Sequence, residues 1–264
     1  MTQQTQTILD RIVADKRDEL TAAKRRVPLA EMRSRAESAS RPRGFASALR
    51  RPEIALIAEV KKASPSRGVI REDFDPVWLA ERYTEGGAAA ISVLTEVQHF
   101  QGRLDYLSAI REKLPPGPPL LRKDFLFDEY QVHEARNAGA DAILLIVAML
   151  EQPLLEEMMA AASSIGLDAL VEVHDEAEMQ RAVAAEANLI GINNRDLRTF
   201  DVDLATTERL RPLAPPDATV VAESGIFRRD DMLRLESYGV NAVLIGEGVV
   251  TAPDPADKVR ELLG

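Results

Sequence analysis

Eight short aliphatic runs recur along the chain, and their spacing restricts the fold more than any other feature. They are IALIAEV (54–60), AAAISVL (88–94), PLLRKD (119–124), DAILLIV (141–147), DALVEV (168–173), NLIGIN (188–193), TVVAES (219–224) and NAVLIG (241–246). Their starts lie 20 to 34 residues apart, the spacing of parallel strands each followed by a crossover helix. Aromatics are only 5% of the chain, so the apolar mass is Ala, Val, Ile and Leu, as suits strands buried on both faces. An internal repeat supports this reading: GAAAI, GADAILL, GLDAL and GVNAVLI each join a helix-ending glycine to a buried strand. Eight units and no Gly-rich dinucleotide turn after the first strand favour closure into an α/β fold of the (β/α)8 TIM-barrel type.

The punctuation between the runs is helical. Asp75-Pro76 reads as an N-cap followed by proline at the first helical position. Asp128 with Gln131, and Asp175 with Glu178, have capping-box spacing. Ahead of the first strand, residues from about Ile8 to Glu37 read as one amphipathic helix, and SASRPRGFASALRRPE reads as a linker. The expected organisation is a single domain over 1–264, with 1–50 an N-terminal helical extension covering one end of the barrel.

Composition removes several functional classes. A formal net charge of −10 argues against a nucleic-acid or anionic-membrane surface. Cysteine is absent, which removes disulfides, thiolate metal sites and thiol nucleophiles. His99, His133 and His174 lack metal-ligand spacing and read as surface or capping residues. No metal or cofactor is expected. The start, MTQQTQTILDRIVADKRDEL, has no signal-peptide core, so the cytoplasm is the default location.

In a closed barrel the chemistry sits at the C-terminal ends of the strands. Those ends carry Glu59 and Lys61, which alternation puts on one face, then Lys123, Glu172, Asn193 with Arg195 just beyond, and Glu223-Ser224-Gly225. Clustered Lys and Glu in a partly dry pocket shift one another's pKa values and make paired acids and bases. The plainer alternative is an ion-pair ring closing the barrel top. After the last two strands, Ser224-Gly225 and Gly246-Glu247 offer backbone N–H groups to one anion, and Ser64 adds a hydroxyl from across the rim.

At these positions the sequence resembles the indole-3-glycerol-phosphate synthase family. The matching stretches are IAEVKKASPSRGVI, ISVLTEVQHFQG, LLRKDFLFDEYQV, LVEVHDEAE, IGINNRDL and VAESGI, with ILDRIVADKRDEL at the start. One departure is Gly248, where the family more often has Ser or Ala. The resemblance implies closure of 1-(2-carboxyphenylamino)-1-deoxyribulose 5-phosphate into an indole, with loss of carbon dioxide and water. It further implies Lys123 as general acid, Glu172 as general base, Lys61 beside the substrate carboxylate, and Glu59 with Asn193 as orienting groups. Arg195, Glu223, Ser224, Phe100 and Phe125 would contact substrate; Ser64, Gly225, Gly246 and Glu247 would hold its phosphate. Two other readings stay open on the residues alone: a related phosphate-binding barrel enzyme such as phosphoribosylanthranilate isomerase, and a non-catalytic barrel that senses a phosphorylated metabolite.

Overall fold

The structure is a computed structural model that describes residues 8–197 and 199–264. The first seven residues of the expected extension lie outside the described residues. Eight parallel strands form a closed barrel: β1 (Ala55–Val60), β2 (Ala90–Leu94), β3 (Leu120–Lys123), β4 (Ala142–Ile146), β5 (Asp168–Val173), β6 (Leu189–Asn193), β7 (Thr219–Glu223) and β8 (Ala242–Ile245). Each strand pairs with its neighbours in sequence, and β8 closes on β1 with Ala55 opposite Ala242 and Ala58 opposite Ile245. All eight fall within the aliphatic runs.

Alternation along the strands divides the core in two. Leu56, Ala58, Val60, Ile91, Val93, Leu145, Val171, Ile192 and Ala222 point outward into the layer beneath the helices. Ala55, Ile57, Ala90, Leu121, Ala142, Leu144, Leu170, Leu189, Val221 and Leu244 point inward and fill the barrel. The same inward register, continued one step toward the C-terminal ends, delivers Glu59, Lys123, Glu172, Asn193 and Glu223. The polar rim is therefore the last layer of the barrel interior.

The expected caps hold at Asp75, whose side chain accepts from the N–H groups of Val77 and Trp78, and at Asp128, which forms a full capping box with Gln131. The extension differs from the single helix and linker read from sequence. It breaks into α1 (Ile8–Arg26) and α2 (Leu29–Ser38) because Pro28, with no N–H and a ring that excludes the preceding helical turn, starts a new helix. The segment read as a linker contains α3 (Phe45–Leu49), whose Phe45 and Leu49 are fully buried and plug the N-terminal end of the barrel. At the opposite end, Ile8, Leu9 and Ile12 of α1 hang over the rim. The extension thus covers both ends. Lys16 fixes α1 in place: its ammonium, 5% exposed, lies 3.0 Å from the buried carboxylate of Asp124, the residue after Lys123.

Candidate active site

One cleft at the C-terminal mouth collects every site residue singled out from the sequence. Its walls include Glu59, Lys61, Ser64, Phe100, Lys123, Phe125, Glu172, Asn193, Arg195, Glu223, Ser224, Gly225, Gly246 and Glu247. Sequence reasoning did not anticipate the apolar roof from α1, nor Leu197, Phe200 and Phe227 at the mouth.

Charge is concentrated at the floor. The Lys123 ammonium lies 3.3 Å from Glu172 Oε2 and 3.3 Å from Glu223 Oε2. Burial works against the ammonium, but Glu172, Glu223 and Glu59 outweigh it and hold Lys123 protonated well above the usual lysine range. Glu172 goes the other way: burial raises its carboxyl, yet Lys123, His174 and Asn193 together hold it below the usual carboxylate range. For Glu223, burial dominates and, with the like charges of Glu172 and Glu59, overcomes Lys123 and lifts the carboxyl to about 8. Its Oε1 is buried with no hydrogen-bond partner, which costs less for a neutral acid than for a carboxylate. Lys123 and His174 thus pull the Glu172 carboxyl down while burial and like charge push the Glu223 carboxyl up.

Two interior glycines make room for these acids. A Cβ on Gly191 would overlap Glu223 Oε1, and one on Gly246 would overlap Glu59 Oε1. Glu59 in turn pairs with Lys61 at 3.3 Å, and the Lys61 ammonium sits 5.8 Å from the centre of the Phe100 ring. Phe100 and Phe125 pack against each other at 6.1 Å, tilted by 38°, and together form an aromatic wall of the cleft. Phe100 is held there by Glu96, a fully buried carboxylate that accepts from the N–H groups of Gln98, His99 and Phe100. Glu96 was not singled out from sequence, where a lone Glu after a strand carries no signal.

The loop after β1 crosses the cleft. Ala63–Ser64 and Gly68–Val69 pair as a two-stranded hairpin, and Arg67 at its tip forms an ion pair with Glu247. Because the Glu247 carboxylate is engaged this way and would repel a phosphate, only its backbone N–H suits the expected anion site. Ser224 and Gly225 have consecutive positive φ values of 67° and 81°, a left-handed turn that glycine adopts without a Cβ penalty. Asn194 pins this turn, donating to the carbonyls of Glu223 and Ser224 while accepting from Thr207. Arg195 closes its own loop: its guanidinium donates to the carbonyl of Phe200, and its backbone N–H donates to Asn193 Oδ1.

His174, read from sequence as a surface or capping residue, is instead packed behind Glu172. Its side chain is 10% exposed, with Nε2 3.2 Å from Glu172 Oε1. The capping-box spacing of Asp175 and Glu178 is half used: Asp175 accepts from the Glu178 N–H, but the Glu178 carboxylate reaches past the cap to His174.

The profile of the Indole-3-glycerol phosphate synthase family matches residues 9–262. An indole-3-glycerol phosphate synthase of Roseiflexus castenholzii is 53% identical over 265 residues, covering 98% of each chain. One of Dehalococcoides mccartyi is 52% identical over 258 residues, covering 97% of this chain and all of the relative. Among solved structures, a 3-hexulose-6-phosphate synthase superposes with a TM-score of 0.62 at 17% identity, covering 79% of this chain and 98% of the other. A thiamine phosphate pyrophosphorylase from Pyrococcus furiosus gives a TM-score of 0.60 at 18% identity, covering 79% and 93%. At that identity the two structures speak to the barrel fold alone.

Proposed function

This chain belongs to the indole-3-glycerol phosphate synthase family, and from that premise we propose a division of labour among the residues of its cleft. The protein is a carboxy-lyase of tryptophan biosynthesis acting on a phosphorylated small molecule. The reaction closes the carboxyphenylamino deoxyribulose phosphate into indole-3-glycerol phosphate and releases carbon dioxide and water.

The reaction sets a proton requirement. The ring carbon bearing the carboxylate attacks the ketone, whose oxygen takes up a proton. Carbon dioxide then leaves, its bonding electrons returning to the ring. The new hydroxyl takes a second proton and departs as water, while the neighbouring C–H gives one proton up. Each turnover therefore delivers two protons, recovers one, and consumes one from solvent.

Lys123 is the donor to the ketone oxygen in this reading, and Glu172 the acceptor of the C–H proton. The observation that carries it is the Lys123 ammonium set 3.3 Å from Glu172 Oε2 in one cleft. Lys61, steered by Glu59, faces the substrate carboxylate and serves the later proton transfer. Asn193 orients Glu172, and the aromatic ring packs against the wall made by Phe100 and Phe125. Ser64, Ser224 and the backbone of Gly225, Gly246 and Glu247 receive the phosphate, with Arg195 and Glu223 completing the substrate shell. Only side chains and backbone groups enter this scheme, and we place the enzyme in the cytoplasm. No helix among the described residues is long and apolar enough to cross a membrane.

The test is direct. Purified protein incubated with the carboxyphenylamino sugar phosphate should develop indole fluorescence, and Glu172→Gln should lower kcat by about 10²–10⁴-fold. A Glu172→Gln enzyme with wild-type kcat removes Glu172 from the role of base.

A further inference from the structure

We propose that His174 is a positioning residue for Glu172, wedged between Glu172 and Glu178 so that it holds the base from behind and keeps it facing Lys123. The inference rests on the reading of Glu172 as base. His174 does not line the catalytic cleft, and its contact with the cleft's acid cluster is through Glu172.

The geometry is two-sided. Glu172 presents Oε2 to Lys123 at 3.3 Å and Oε1 to His174 Nε2 at 3.2 Å. The carboxylate is thus met at each oxygen by a different basic side chain, one in the cleft and one behind the strand end. His174 cannot drift, because Glu178 Oε2 accepts from both its backbone N–H at 2.8 Å and its Nδ1 at 2.9 Å. Nδ1 is therefore the proton-bearing nitrogen toward Glu178, and a charge on Nε2 toward Glu172 requires the imidazolium. The Nε2 contact is an ion pair rather than an aligned hydrogen bond, since Nε2 has no partner of good hydrogen-bond geometry. The close contact and the charge both pull the Glu172 carboxyl down.

The surroundings favour that charge. Burial disfavours the imidazolium most, but Glu172 and Glu178 overcome it and raise His174 to about 10. The cavity on its open side is acidic: Asp175 comes from its own loop, Asp196, Asp201 and Asp203 from the loop after β6, and Arg209 is the cation opposite. Lys123 stands beyond Glu172 on the cleft side. Lys123 and His174, one on each side, both hold the buried Glu172 carboxyl below the usual carboxylate range. The consequence for catalysis is a base that is in its proton-accepting form and correctly aimed before substrate arrives.

The chain holds three histidines, His99, His133 and His174, so imidazole NMR of the intact enzyme can resolve them. His174 is expected to stay an imidazolium through pH 8, and in Glu178→Gln its midpoint should fall by about one unit or more. In the wild type Glu172 sits below the usual range, so its limb lies at low pH. Replacing His174 by Gln removes one cation, lets the Glu172 carboxyl rise, and moves the acid limb of kcat to higher pH. At neutral pH His174→Gln should lower kcat by about tenfold while KM stays within about twofold, the signature of a group that acts on the base and not on binding. If His174→Gln fails to fold, Glu178→Gln carries the same test, since the imidazole would then deprotonate in an accessible range and add an alkaline limb. A His174 that titrates in the ordinary histidine range overturns the proposal, as does His174→Gln with wild-type kcat and an unmoved acid limb. Should Glu172→Gln be inactive under those outcomes, the base assignment stands and only the role of His174 falls.

Discussion

The carboxylate of Glu59 occupies the volume that any side chain on Gly246 would need. Gly246 is therefore tied to the Glu59–Lys61 pair as well as to the anion site proposed after β7 and β8. Sequence reasoning alone would assign a branched residue there a binding defect. The structure adds a catalytic one, because displacing Glu59 releases Lys61, its partner at 3.3 Å. Gly246→Val should raise KM and also lower kcat by about tenfold or more. At Gly225, φ is +81° and a Cβ would lie 2.5 Å from Val202 Cγ1, away from the acid cluster, so Gly225→Val should raise KM with a smaller change in kcat. Steady-state kinetics of the pair decide the matter; equal kcat values would detach Gly246 from Glu59.

Removing Lys123 should cost stability as well as turnover. A lone rim lysine would be dispensable to the fold, but this one separates two carboxyls that are each 2% exposed. Leaving buried charges without their partner costs about 3–5 kcal/mol. In Lys123→Ala the folded-state pKa values of Glu172 and Glu223 both rise. Stability held below the ordinary carboxylate range is then lost as pH climbs through the raised values. The melting temperature should lie much closer to wild type at pH 5 than at pH 8, and kcat should fall by about 10²–10⁴-fold. A pH-independent gap in melting temperature would contradict the shared-ammonium geometry.

Glu223 gives the opposite kind of mutant. Its folded carboxyl titrates at about 8, above the unfolded value, so its contribution is fully present below the ordinary carboxylate range. That contribution fades as pH rises toward 8. Glutamine imitates the neutral acid and cannot ionise. Glu223→Gln should therefore melt with a flatter pH dependence between pH 5 and 8 than wild type. Parallel curves would mean that Glu223 is already ionised in the resting enzyme.

Inorganic phosphate or sulfate should compete with substrate, and a crystal soaked in either should show the anion between residues 224–225 and 246–247. An anion bound elsewhere, with that site open and empty, would relocate the phosphate handle.

Activity should be indifferent to EDTA, since the proposed steps use Lys123, Lys61 and Glu172 alone. Loss in chelator, restored by a divalent ion, would contradict the scheme.

What the sequence disclosed follows from what is local. The strands were legible because aliphatic runs at crossover spacing admit few folds, and the rim because alternation carries the interior face of each strand into its last polar residue. The α3 plug was missed because five residues hold too little periodicity to outweigh the flanking Pro42 and Gly44. The break at Pro28 was overridden by the amphipathic pattern on either side. His174 was misjudged for a different reason. Its partners Glu172 and Glu178 are both near in sequence, but nothing local shows that Glu178 abandons its cap to reach the imidazole. Glu96, likewise, acts through backbone N–H groups that leave no trace in residue type.

The contact of Lys16 with Asp124 links residues 108 positions apart, and α2 leans on the helix Glu129–Asn137 through Arg33 and Glu129. During synthesis, the residues that roof the mouth leave the ribosome long before the surface they dock against exists. Until β3 and the helix Glu129–Asn137 have emerged, Ile12 and Met32 have no core to enter, and their apolar faces must wait in water. The surface that covers the N-terminal helices is thus encoded in the middle of the chain, and their apolar faces can be sealed only once that part has been made.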